Sequence, residues 1–293
     1  MENNQIQDIN RIVFDILKQS KSLHIFPTPV DQIIEFTELR IDSKVDLNEI
    51  PSNYLSQSTE KLKKVLRDVR GVLDRREKII YIDPNQSEPR KNFVKLHEVG
   101  HDILPWQRKF YEYIQDDDDT IDTHQNEEFE FEANYFASST LFQLDRFDEE
   151  AQKLPLEIKS PMYLAKFFGS SQHAALRRYV LGSKKRCALL VLKDIAQSSV
   201  AIGCAVRNYF QSDGFTKAFG EIIWETEIGV KWQFVQDYLR KRRFHTDGVC
   251  CLFTKDGPLT FQYHYFFNTF NAFVFIFPLG EKNVSRTKIY VRT

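Results

Sequence analysis

A chain of 293 residues, 42% hydrophobic and 28% charged with a formal net charge of -1, has the composition of a globular protein, which excludes collagen-like repetition and a disordered chain. Its length suits two domains, or one domain with large additions. The apolar run near residues 273–277 ends at Pro278, far short of the roughly 18 residues a bilayer crossing needs; the start Met1-Glu2-Asn3-Asn4-Gln5 is not a secretory signal either, so no membrane and a cytoplasmic location are expected.

Taken in chain order, Ile6, Ile9, Val13, Ile16 and Leu17 recur at helical spacing and predict an amphipathic helix over residues 5–18. Thr28-Pro29-Val30-Asp31 has the look of a helix start, with Thr28 as the cap, and a second helix is expected to about Leu39. Short β-prone runs at 69–73 and 79–82 flank the polar turn Asp74-Arg75-Arg76-Glu77 and predict a hairpin. Ser87-Glu88-Pro89 opens the next helix, which Pro105 stops. Residues 106–132 turn polar and acidic, Asp116 to Asp119 included, and read as a solvated, mobile loop before a helical pattern resumes through Ala133, Phe136, Ala137 and Leu141.

Within the helix that follows Ser87 stands His97-Glu98-Val99-Gly100-His101, a His-Glu-x-x-His pattern. Residues four apart share a helix face, so both imidazoles can address one divalent ion while Glu98 reaches a water beside it. A random chain of this composition would show the pattern only about 0.01 times. A third ligand is needed, and Glu130 suits it, since it begins Glu130-Phe131-Glu132-Ala133-Asn134 on the next predicted helix. Asn134, one turn further, could orient a ligand histidine; Glu127, Glu128 and Glu132 remain substitutes for Glu130, and His124 could ligate or stabilise an oxyanion.

His-Glu-x-Gly-His after Phe93, followed by Glu-x-Glu-Ala-Asn-x-Phe-Ala, resembles the ImmA/IrrE family of metallopeptidases, over about the first 180 residues. The resemblance implies a gluzincin-like zinc site with His97, His101 and Glu130 as ligands and Glu98 as general base. It also implies cleavage of a protein regulator such as a helix-turn-helix repressor, in a stress or mobile-element response. The chain reads Ser139-Thr140-Leu141-Phe142-Gln143 where the family often has Leu-Leu-Met-Pro, and no DNA-binding domain is expected ahead of the peptidase, unlike in some members.

Beyond Pro155 the charge reverses: residues 1–155 carry 20 Lys and Arg against 31 Asp and Glu, a net of -11, and the rest carry 20 against 10, a net of +10. Such a split suits a basic nucleic-acid face or two parts that attract each other. Residues 161–180 read as helix, turn at Gly169, helix, and the family carries a similar segment; a packing role is preferred over groove reading, and a solvated face is the default for Arg240-Lys241-Arg242-Arg243. Duplex DNA is therefore the weaker candidate partner. From Cys187 onward, β-like runs at 188–192, 249–253, 260–266, 272–277 and 288–291, with one helix near 231–242 and a hairpin signal at Lys255-Asp256-Gly257, predict an α+β domain. By resemblance it is GAF-like. Four cysteines without a Cys-x-x-Cys pair read as buried thiols.

The expected architecture is thus α+β: a mainly helical zincin-like domain with a small antiparallel sheet over 1–155, a helix-turn-helix-like segment over 156–186, and a regulatory or recruitment α+β domain over 187–293. The leading expectation is a Zn2+-dependent endopeptidase acting on a protein. The alternative is a DNA-binding or ligand-sensing regulator with a vestigial zinc site.

Overall fold

A computed structural model describes residues 3–43, 71–116, 123–197 and 202–281. The chain forms two compact units: Met1–Phe147 with Lys166–Ser171, and Asp148–Ala165 with Gln172–Thr293.

The first unit opens with α1 (Asn3–Gln19), α2 (Val30–Phe36) and β1 (Arg40–Asp42). α2 stops short of Leu39. Thr28 does not cap it: its hydroxyl oxygen accepts from Gln143 Nε2 at 3.2 Å, and its proton goes to the Leu141 carbonyl at 2.8 Å. β2 (Gly71–Asp74) and β3 (Ile79–Ile82) form the expected antiparallel hairpin, whose turn is held by Asp74 Oδ1 accepting from the amides of Arg76 and Glu77. β1 adds a parallel strand to β3, a pairing no local pattern announces, so the sheet is mixed and runs β1-β3-β2.

α3 (Glu88–Ile103) carries the His-Glu-x-x-His segment. After a one-residue break at Leu104, α4 (Pro105–Asp116) and α5 (Thr123–Leu141) follow. The loop expected over 106–132 is therefore helical at 105–116 and from 123 onward, and the acidic run beyond Asp116 lies outside the described residues. Proline supplies a helix's first residue as readily as it ends one, since the missing N–H would be unpaired there anyway. Ile9, Val13, Ile33, Ile80, Leu96, Val99, Phe136 and Ala137 are all buried in one core that joins α1, α2, the small sheet, α3 and α5. At about 2 kcal/mol per fully buried aliphatic side chain, this core fixes how α3 and α5 cross.

α6 (Arg146–Lys153) and α7 (Lys159–Phe168) precede α8 (Gln172–Leu181), and the last two give the expected helix-turn-helix outline around Gly169. In the second unit β4 (Ala188–Gln197), β5 (Ile202–Gln211), β6 (Glu227–Gly229), β7 (Phe244–Thr254), β8 (Gly257–Phe267) and β9 (Ala272–Pro278) form an antiparallel sheet ordered β6-β5-β4-β9-β8-β7. Two short helices, α9 (Asp213–Phe219) after β5 and α10 (Gln233–Leu239) after β6, complete it. β5, α9 and β6 went unread in the sequence, and α10 is shorter than the expected helix. The run 288–291 lies outside the described residues. β9 is buried along nearly its whole length because both faces are covered: α8 lays Tyr179 against Phe275 on one side, while Phe234, Tyr238 and Phe215 of α10 and α9 join the core on the other. Cys187, Cys204 and Cys250 are buried as expected, but Cys251 is exposed, since it faces outward on β7. Among the described residues, no helix is long and apolar enough to cross a membrane.

Candidate metal centre

Two helices and one strand build the site. α3 and α5 pack closely because Gly100, between the two histidines, faces Ala133 across the crossing; a Cβ at Gly100 would lie 3.2 Å from the Ala133 Cα and 3.1 Å from the Phe136 ring. On the other side of α3, Gly71 leaves no room for a Cβ against Val94 and would come within 3.3 Å of Glu98 Oε1. β2 therefore lies directly against the Glu98 carboxylate. The β2–β3 turn clamps the far end of α3: Lys78 Nζ donates to both oxygens of buried Asp102 at 2.7 and 3.0 Å, and Arg75 donates to the His101 carbonyl.

Where the two helices cross, His97, His101 and Glu130 form the one cluster among the described residues able to hold a metal ion, with donor atoms all within 4.8 Å of one another. His97 Nε2 and His101 Nε2 are 3.1 Å apart, and each lies 3.3 Å from a Glu130 oxygen. Two neutral imidazole nitrogens cannot share that distance with lone pairs opposed; a proton or a cation must stand between them. Donors roughly 2.0–2.1 Å from a tetrahedral ion stand about 3.3–3.4 Å apart, so the observed triangle fits one. Both imidazoles are mostly buried whereas the Glu130 side chain is 49% exposed, which leaves the fourth side open to water or a substrate.

The electrostatics agree. Burial acts to lower the His97 pKa, but the hydrogen bond to Glu130 and the charges of Glu98 and Glu130 outweigh it and raise the value. Burial would raise Glu130, yet hydrogen bonds from His101 and His97, and then their charge, hold it well below the carboxylate range. Glu98 is raised, chiefly by burial, against the opposing pull of His101 and His97.

Asn134, exposed one turn beyond Glu130, also favours a charged His97. That influence is a side-chain hydrogen bond, although His97 Nδ1 itself is buried without a geometrically ideal partner among the described residues. Glu127 and Glu128 are exposed and outside the cluster. The His124 side chain is outside the described part of the structure. Glu132 is buried and turned away, accepting from Trp106 and Gln107, and Gln107 in turn meets His101 Nδ1 at 2.8 Å. Sequence reasoning missed Gln107: six residues past His101 no helical periodicity relates the two, and only the corner at Pro105 folds it back.

Residues 54–179 match the family model Peptidase_M78, described as an IrrE N-terminal-like domain. Among curated proteins none matches the chain. A solved structure of a Mycobacterium tuberculosis transcriptional regulator is similar in fold, with a TM-score of 0.50 and 11% identity over 95% of this chain and 78% of that one.

Proposed function

We propose, on the match of residues 54–179 to the IrrE N-terminal-like domain of Peptidase_M78, that the chain is a zinc metalloendopeptidase whose metal ligands are His97, His101 and Glu130 and whose general base is Glu98. The observation that carries this reading is the triangle of donor atoms, closed on the helix side and open opposite. When bound there, Zn2+ supplies Lewis acidity toward a peptide carbonyl and makes a neighbouring water more acidic.

Glu98, next to the first ligand on α3, is buried and holds its proton more tightly than a free carboxyl, which suits a group that takes a proton from water and returns it to the leaving amine. Glu130 balances part of the ion's charge, and its exposed carboxylate borders the side from which a substrate enters. Among the described residues β2 has no partner on its outer edge, so an extended peptide can pair with it beside Glu98. An extended, edge-pairing substrate is a protein segment, and a repressor of the helix-turn-helix kind acting in the cytoplasm is the class the family resemblance supplies.

Glu98→Gln should retain about one zinc per chain and the fold yet abolish proteolysis, because the amide fills the same space but cannot accept the proton. His101→Ala should lose the metal. Proteomes of cells carrying wild type or Glu98→Gln identify the substrate as a protein whose full-length form is lost only with wild type. Cleavage by Glu98→Gln at the wild-type rate, or equal zinc in His101→Ala, would overturn the assignment.

A further inference from the structure

We propose that Gln107, anchored by Glu132 and the Phe129 carbonyl, is a positioning residue that locks His101 in the one tautomer able to bind metal; this rests on His101 being a ligand. The orientation of the Gln107 amide follows from its surroundings. Its Nε2 lies 3.1 Å from the Phe129 carbonyl oxygen and 2.7 Å from Glu132 Oε2. A backbone carbonyl can only accept, so the atom facing it is the NH2 group, and Oε1 is the atom left to face His101. An amide oxygen can only accept. The 2.8 Å contact therefore carries a proton on His101 Nδ1, which makes Nε2, the nitrogen facing His97 and Glu130, the one whose lone pair is available to an ion.

Glu132 serves to keep that amide from turning over. Its Oε2 accepts from Gln107 Nε2 and from Trp106 Nε1, both at 2.7 Å, and its Oε1 accepts from Gln5 Nε2 at 3.4 Å. The group is sealed: Gln107 is 0% and Glu132 2% exposed, so no water can substitute for a lost partner. The chain of contacts joins α1, α4 and α5 to a ligand on α3. His97, by contrast, has no buried amide on Nδ1 among the described residues; the side chain that bonds it is the exposed Asn134. A buried glutamate two residues after a ligand glutamate is thus assigned to the amide that aims His101, rather than to the ion.

The test uses the full chain. Selectively 15N-histidine-labelled, metal-free wild type should show His101 protonated on Nδ1, and Gln107→Leu should show a mixture of tautomers. Competition with a chromogenic zinc chelator should find affinity reduced roughly 10–100-fold in Gln107→Leu and by a smaller factor in Glu132→Gln, whose own amide no longer dictates which way Gln107 points. The Glu132→Gln effect should vanish in the Gln107→Leu background, because it acts through Gln107. Thermal unfolding of the metal-free chains separates these effects from loss of fold. A wild-type His101 protonated on Nε2, or variants that bind zinc as tightly as wild type, would overturn the proposal while leaving the ligand set intact. A wild type that takes up no zinc would instead overturn the ligand set, and this proposal with it.

Discussion

The two histidines and Glu130 share a proton in the absence of metal: once burial has been overcome, the pKa of His97 is raised chiefly by Glu130, and that of Glu130 is lowered by His101 and then by His97. A metal must displace that proton, so binding and acid compete. We expect zinc affinity, read by chelator competition, to climb as pH rises from about 6 to about 8, more steeply than for a site of unperturbed histidines. A flat profile would contradict the shared proton. A second titration concerns stability. His173 on α8 packs against Phe210 and Phe273, and burial, with the charges of Arg207 and Arg177, lowers its pKa to about 4. The unfolded chain takes up a proton near the ordinary value of about 6.5 that the folded chain refuses until about 4, so stability present above that window is lost as pH falls through it. His173→Leu should flatten the decline in melting temperature between those limits; a decline unchanged from wild type would show that this histidine is already charged in the fold.

Among elements, the α3–α5 crossing decides whether the donors meet. Gly100 and Ala133 allow it, and the contacts around Gly100 already stand at 3.1–3.2 Å for a single added carbon. Gly100→Val would force the helices apart, with a cost on the order of 1–3 kcal/mol, and would carry Glu130 away from the histidines. Melting temperature and zinc content should both fall. Stability lost with zinc fully retained would mean that the crossing tolerates the shift and the site does not depend on it.

For the whole molecule, the reversal from -11 to +10 raises the question of nucleic acid. Arg240, Lys241, Arg242 and Arg243 are all exposed just after α10, and Arg242 is engaged at 3.4 Å with buried Asp237. Arg240, Lys241 and Arg243 stand as a solvated group. Neutralising the four together should change duplex-DNA binding little, in fluorescence anisotropy at two salt concentrations, because wild type should bind weakly at physiological salt. Submicromolar, sequence-selective binding lost in that variant would restore the DNA-binding regulator as the better reading.

The metal cluster was legible because its information is local: two histidines one turn apart, and a glutamate that opens a helical pattern, need only the 3.6-residue period to be placed. The helices α1 and α3, the later part of α5 and the hairpins β2–β3 and β7–β8 were legible for the same reason, each having its own periodicity or turn. What the tertiary structure alone decided are pairings between distant segments: β1 beside β3, β5 and β6 at the edge of the large sheet, and the corner at Pro105 that returns Gln107 to His101. No short-range pattern encodes these, because their stability comes from burial and hydrogen bonds shared with residues far along the chain, and a buried glutamate such as Glu132 looks in sequence like any other acid until its partners are known.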